Sequence, residues 1–452
     1  MNIIIVGCGK VGRTLAEQLS QEGHNISIID INQQVVDEIS YGFDAMGVTG
    51  NGASWSTQME AGIEKAHLLI AVTGSDELNL LCCLIARKAG NCKTIARVRN
   101  PVYSKDVAFI KEELGLTLVI NPEYEAACEI SRLLKFPSAI DINIFKQGHV
   151  ELLKFKVEEN SVLHDMKIKE IHTRLKCDIL ISIVERGEET IIPNGDFVIK
   201  ENDIISIVGS RKMAMEFFVR IGVVKAPVKN AILIGGGAIT YYLAIQLLNS
   251  GINVKIIEEK RKRCEELTEL LPKAMIIHGD GTDKELLMEE GITDAEAFVS
   301  LTGMDEENIL LSLYARCKMN GKIITKVNRI AFDEVVDSLN LGSVVYPKYI
   351  TLQSILKYVR AMNHSRGSNV ENIYKIKKDK AEALGFLVNK GSKLIGISLE
   401  NLDLKPNLII CSINRNGTII IPNGKDCIEE GDHVLIVTTN MGLHDISDIL
   451  RS

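Results

Sequence analysis

The sequence is written twice, and this constrains the fold more than any single motif does. Residues 3–30, IIIVGCGKVGRTLAEQLSQEGHNISIID, align with residues 231–258, AILIGGGAITYYLAIQLLNSGINVKIIE. Two further matches keep the register: GVTGNGASWSTQMEAGIEKAHLLIAVTGSDELNLL with IIHGDGTDKELLMEEGITDAEAFVSLTGMDEENIL, and IIPNGDFVIKENDIISIVGS with IIPNGKDCIEEGDHVLIVTT. The offset is about 229 residues throughout, which marks a tandem duplication joined at 223–229.

Each half divides again. The β-branched runs Ile3–Val6, Ile26–Ile29, Leu68–Val72, Thr94–Val98 and Leu118–Ile120 alternate with segments of helical period, the pattern of βαβ units and a parallel sheet. After them come strand-like runs joined by the turns Arg186-Gly187, Pro193-Asn194-Gly195 and Glu201-Asn202-Asp203, which predict a small α+β module. Arg415-Asn416-Gly417, Pro422-Asn423-Gly424 and Glu429-Glu430-Gly431-Asp432 repeat those turns. The expected α/β architecture is therefore two tandem modules. Subdomains 1–136 and 230–362 are Rossmann-like, 137–222 and 363–452 are small and α+β, and 223–229 is the linker.

A net charge of -7 argues against phosphate-backbone binding and so against nucleic acid as a partner. The ten cysteines lack the paired short spacings of zinc or redox sites and read as reduced thiols. No basic stretch precedes the first apolar run, so no signal peptide is expected. Asn230 to Val254 carries no charge over a length that would span a bilayer. Gly235, Gly236 and Gly237 interrupt it, however, and its counterpart carries Lys10, Arg13, Glu17 and Glu22, so it reads as part of a water-soluble fold.

Gly7-x-Gly9-x-x-Gly12 follows a predicted strand and opens a predicted helix, the context a dinucleotide fingerprint requires. Gly7 permits the tight turn, Gly9 lets backbone approach a pyrophosphate, and Gly12 lets the helix pack close to the strand. Asp30, ending the second strand, is placed to accept from ribose hydroxyls and to repel a 2′-phosphate, which favours NAD over NADP. Gly50, Asn51 and Gly52 after the third strand, Thr73 and Gly74 after the fourth, and Arg97 at the end of the fifth should meet the same cleft. Asn51 is a candidate for an adenine edge or a ribose, and Arg97 and Arg13 are candidate phosphate partners, with solvated surface charge as the alternative. Asp76 and Glu77 read as helix capping. The second copy keeps Gly235, Gly237 and Glu258 but has Thr240 in place of the third glycine and Lys326 in place of Arg97. Overpacking at Thr240 predicts a loss of roughly 1–3 kcal/mol unless the helix has shifted, hence a weaker, altered or lost second site. Mixed-charge runs such as Glu258–Glu266 and Lys375–Lys380 read as solvated faces or partner surfaces.

A dehydrogenase needs a general acid or base beside its cofactor. His24, His67, His149, His164 and His172 have no histidine counterpart in the second half, and no metal-spaced cluster occurs. The helices Glu123–Phe136 and Tyr349–Met362, apolar on one face, are candidates either for module pairing or for an internal core contact.

MNIIIVGCGKVGRTLAEQL, IIDIN, GNGAS, AVTGSDELNLLCCLIARK, IARVRNPVY and the duplicated IIPNG modules resemble the cytosolic regulatory proteins of Trk potassium uptake, and the resemblance spans the chain. Those proteins are built of RCK modules, each a Rossmann-like subdomain followed by a small one. The resemblance implies a non-enzymatic subunit that assembles as a ring, expected to be a homotetramer, on the inner face of the membrane and gates a membrane-embedded Trk-type transporter. It implies NAD(H), with ATP or ADP in some relatives, as regulatory ligand. Carried over by position, the ligand contacts are Gly7, Cys8, Gly9, Lys10, Val11, Asp30, Thr73, Gly74 and Arg97, with Gly235, Gly236, Gly237, Ala238, Ile239 and Glu258 as a second set. An NAD-dependent oxidoreductase is the competing reading.

Overall fold

The computed structural model describes the chain apart from residues 137, 146–149, 178, 224–227, 329–334, 337, 338, 340, 365–369, 377–379, 444 and 452. Residues 224–227 of the expected linker, His149 and part of the 375–380 run therefore lie outside the described residues. The chain divides into two compact units, each made of two segments: Met1–Ser131 with Val228–Leu356, and Arg132–Pro227 with Lys357–Ser452. Each unit thus joins corresponding subdomains of the two halves.

In the first unit, Asn2–Val6, Asn25–Asp30, Met46–Thr49, Leu68–Ala71, Lys93–Arg97 and Leu118–Ile120 form a parallel sheet in the order 3-2-1-4-5-6. The second half repeats that order with Asn230–Ile234, Asn253–Glu258, Met275–His278, Ala297–Ser300, Lys322–Lys326 and Ser343–Val345. Strand order reverses direction between the first and fourth strands, which opens a crevice at their carboxyl ends. The strands are apolar on both faces because helices cover both; Ile3, Ile4, Ile5 and Val6 are all buried.

Helix Lys10–Gln21 buries Val11, Gly12, Leu15, Ala16 and Leu19, one stripe at helical spacing, and leaves its charges outside. Its counterpart, Ala238–Asn249, buries Ile239, Thr240, Tyr241, Tyr242, Leu243, Ala244 and Leu247, which wraps most of its circumference. The reason lies in the first half: Tyr242 meets Tyr124 edge-on at 5.5 Å, accepts a 3.0 Å hydrogen bond from Asn121 Nδ2, and lies beside Gln246, whose amide is 3.3 Å from Cys128 Sγ. The uncharged run at 230–254 is thus a strand and a helix buried between two subdomains, and among the described residues no helix is long and apolar enough to cross a membrane. The helices proposed for pairing, Pro122–Lys135 and Pro347–His364, do join the halves, with Ser354 Oγ donating to Glu125 at 2.7 Å.

The second unit holds two five-stranded antiparallel sheets. Val150, Leu152, Ile183 and Val208 of one share a core with Ala383, Cys411, Leu435 and Val437 of the other. Each sheet carries the same brace. Arg186 donates two 2.8 Å hydrogen bonds to buried Asp203, and Arg415 grips buried Asp432 at 2.9 and 2.8 Å.

Candidate functional site

A cleft of about 490 Å3 lies at the carboxyl ends of the first sheet, walled by Gly7, Gly9, Lys10, Val11, Asp30, Gly50, Gly52, Thr73, Gly74, Arg97 and neighbouring apolar residues. The glycine loop that forms its floor is built as the motif requires. Gly7 has φ +94°, and a side chain there would meet the Thr73 backbone at 2.8 Å. A methyl on Gly12 would overlap the Gly7 carbonyl oxygen, so the bare Cα is what lets helix and loop touch. Gly9 faces open space and caps helix Lys10–Gln21 in extended conformation, leaving the first N–H groups of that helix toward the cleft.

Asp30 closes the far side. Its Oδ2 accepts a 2.6 Å hydrogen bond from the Cys8 N–H and its Oδ1 one of 3.0 Å from Asn32, so the carboxylate fixes the glycine loop while lining the cleft. Cys8 itself is a core residue. Burial, with Asp30 adding to it, pushes its thiol up to about 12, which leaves it a protonated apolar group whose place in a ligand site is limited to its backbone.

Thr73 and Arg97 are set by a residue that the spacing of the motif does not point to. Asn79, fully buried, accepts from both the N–H and the hydroxyl of Thr73 at 2.8 and 2.7 Å and donates from Nδ2 to the Arg97 carbonyl at 2.9 Å. The duplication carried the signal, since Asn308 likewise accepts from the Thr302 N–H at 2.8 Å and donates to the Lys326 carbonyl at 3.1 Å, although the Thr302 hydroxyl turns to Glu307. The Arg97 guanidinium turns back to the Thr73 carbonyl at 2.5 Å, and burial, followed by the nearby Arg99, holds its pKa below the ordinary arginine value. Lys348 of the second half also lines the cleft and was not among the expected residues.

Three expectations are corrected. Arg13 lies on the outer face of its helix, 3.3 Å from Glu38, because the fourth helical position points away from the loop. Asn51 does not line the cleft; its Oδ1 accepts from the Ala53 N–H at 2.9 Å and shapes the turn there. Asp76 exceeds capping, which belongs to Ser75. Its Oδ2 accepts from the N–H groups of Arg99 and Asn100 at 2.9 and 2.8 Å and anchors the loop after the fifth strand. Arg99 donates to the Gly74 carbonyl at 2.6 Å. Among the described residues no histidine lines the cleft; His67, for example, accepts from the Asn2 N–H at the opposite end of the sheet.

In the second half the loop backbone repeats, with Gly235 at φ +94°, Gly237 extended before Ala238 and Ile239, and the Gly236 N–H donating to Glu258 at 2.6 Å. The expected overpacking at Thr240 is absent, because the hydroxyl reaches the Gly235 carbonyl at 2.5 Å and converts the contact into a hydrogen bond. Beside the loop, Arg263 Nε donates to the Gly236 carbonyl at 2.7 Å and Leu267 fills the space next to Gly236 where the first loop carries the Cys8 side chain, while Gly237, Ala238, Ile239 and Lys326 line a cavity of about 300 Å3.

Comparison with known proteins agrees with this geometry. The TrkA-N domain model matches residues 3–122 and 231–347, and the TrkA-C domain model matches 152–222 and 384–451. The Trk system potassium uptake protein TrkA homolog 2 of Methanosarcina mazei is 30% identical over 463 residues, covering 100% of both chains. The Trk system potassium uptake protein TrkA of Halomonas elongata is 30% identical over 96% of this chain and 95% of its own. Among solved structures, the RCK domain of GsuK covers 97% of this chain and 92% of that one at a TM-score of 0.63 and 18% identity. The GsuK channel bound to NAD covers 97% of this chain and 77% of that one, with a TM-score of 0.62 and 18% identity. The fold is that of tandem RCK modules, and the chain belongs to the TrkA family of Trk system potassium uptake proteins.

Proposed function

We propose that this chain is the nucleotide-sensing regulatory subunit of a Trk-type potassium transporter, with NAD(H) as the ligand of its first cleft and ATP or ADP as competitors for it. The observation that carries the reading is the first cleft itself: a glycine loop, a helix N-terminus, Asp30 and Arg97 around about 490 Å3, at the switch point of the sheet. The described residues that line it include no histidine, cysteine or tyrosine, and its lysines, Lys10 and Lys348, and its carboxylate, Asp30, are assigned to phosphate and ribose, so on this reading a dinucleotide is held rather than consumed. That a channel with RCK modules of this fold has been solved with NAD supports the choice of ligand.

Such a ligand acts through its different affinity for two shapes of the assembly, typically 1–3 kcal/mol for each coupled site. A ring of these chains, expected to be a homotetramer held to the inner face of the membrane by its transporter, would sum those terms. The test is calorimetric titration of NADH, NAD, ATP and ADP into the wild type and Gly9→Val, with the reduced-nicotinamide absorbance followed in the same samples. Micromolar binding abolished by Gly9→Val, at constant redox state, is the expected result. Absence of binding by every nucleotide, or steady oxidation of NADH with a metabolite, would overturn it.

A further inference from the structure

Two cavities of the first unit adjoin. The glycine-loop cleft and a neighbouring cavity of about 300 Å3 share Val11, Arg97 and Lys348 as walls, and the neighbour adds Arg99, Lys326 and Glu123. Lys348 does not belong to the half that builds the first cleft. It is the second residue of helix Pro347–His364, and the second residue of the matching helix Pro122–Lys135 is Glu123.

The walls carry both signs, with Arg97, Arg99, Lys326 and Lys348 near Glu123, Asp76 and Asp305. Burial, then the nearby Arg99, lowers the pKa of Arg97 against the pull of Glu123 and Asp76; burial lowers that of Lys326 against Asp305 and Glu123, with Lys348 adding to the lowering. Cations brought this close in a half-buried space oppose one another, whereas an anion among them would relieve both like-charge repulsion and desolvation. Arg97 Nε and Glu123 Oε2 are buried without a hydrogen-bond partner, so the walls contain polar groups that the protein's own bonds leave unused.

We propose that Lys348 is a phosphate-binding residue of the first nucleotide site, supplied from the second half of the chain. The ligand it takes is the diphosphate or triphosphate portion of a nucleotide whose base lies along the Asp30 side of the cleft, and to that extent the inference rests on the function proposed above. Occupancy of the first cleft then holds the N-terminus of helix Pro347–His364 against the first glycine loop. Ligand binding is thereby coupled to a helix of the other half without any ligand in the second cleft.

The experiment is calorimetry on the full chain with AMP, ADP, ATP and NADH at low and high salt, using the wild type, Lys348→Gln, Lys348→Arg and Gly9→Val. Losing a charge-assisted contact predicts that Lys348→Gln weakens ATP and NADH by about tenfold and AMP by less, and flattens the salt dependence, while Lys348→Arg restores both. Equal losses for AMP and ATP, or no loss while Gly9→Val abolishes binding, would overturn the role of Lys348 and leave the nucleotide site standing. A wild type that binds none of the four would remove the site and the inference together.

Discussion

The Thr240 hydroxyl donates a 2.5 Å hydrogen bond to the Gly235 carbonyl, at the place where the first half has the bare Gly12 beneath Gly7. The two loops share a backbone but are held by different forces. Thr240→Val keeps the side-chain shape and removes the donor, leaving a half-buried carbonyl without this bond. It should destabilise the chain by about 1–2 kcal/mol in urea unfolding, and NADH affinity at the first cleft should not change.

Gly9 and Gly12 separate ligand from fold. Nothing lies within 4 Å of a side chain built on Gly9, which has φ -64°, so Gly9→Val should fold normally and lose nucleotide binding to steric blockade. Gly12→Ala forces its methyl on the Gly7 carbonyl and should lower stability by roughly 1–3 kcal/mol as well as weaken binding. Thermal melts run beside the titrations read the difference. Equal melting temperatures for the two variants would contradict it.

Glu123 should make stability depend on pH in a predictable direction. Burial raises its pKa above the ordinary 4.5, against the opposing pull of Arg99 and Arg97. The folded state therefore binds its proton more tightly than the unfolded state. That stabilisation is complete below about 4.5 and is lost as pH rises through the elevated folded value. Glu123→Gln should raise the melting temperature at pH 7, and the gain should vanish near pH 4. A gain of the same size at both pH values would mean that packing, not titration, is responsible.

The arginine–carboxylate braces of the small subdomains should be structural and equivalent. Asp203 and Asp432 are each 1% exposed and each accept from an arginine and a backbone N–H. Asp203→Asn and Asp432→Asn should each cost on the order of 2 kcal/mol of stability by weakening the charge-assisted bonds. Nucleotide affinity at the first cleft should be unaffected, which calorimetry on the folded variants would check.

Most of the fold could be read from the chain because repetition and periodicity are local properties. Two copies of the same alternation predicted two parallel sheets, and the three glycines predicted where the first would open. Residues whose role depends on a distant neighbour escaped that reading. Arg13 sits one position beyond the loop, where a helix turns its side chain outward, and no spacing rule announces Glu38 as its partner. Asn51 has the chemistry of a base-binding side chain but spends its carbonyl on its own turn. Lys348 comes to the first cleft from the other half, through pairing of whole subdomains. Asn79 was in principle visible, since a buried amide recurring as Asn308 in a helix otherwise built of apolar and charged residues needs a partner.

Corresponding subdomains of the two halves share a unit, so the molecule is a dimer fused into one polypeptide. A dimer of separate identical modules must carry the same residue at both equivalent positions, and any substitution appears twice. Fusion lifts that restriction. The second position of one pairing helix can be acidic, Glu123, while its counterpart is basic, Lys348, a combination that no homodimer of either half could encode. The tether also keeps the two partners together at any dilution, so their association does not depend on how much protein the cell makes. One gene can thus evolve a receptor and the lever that reads it as separate parts.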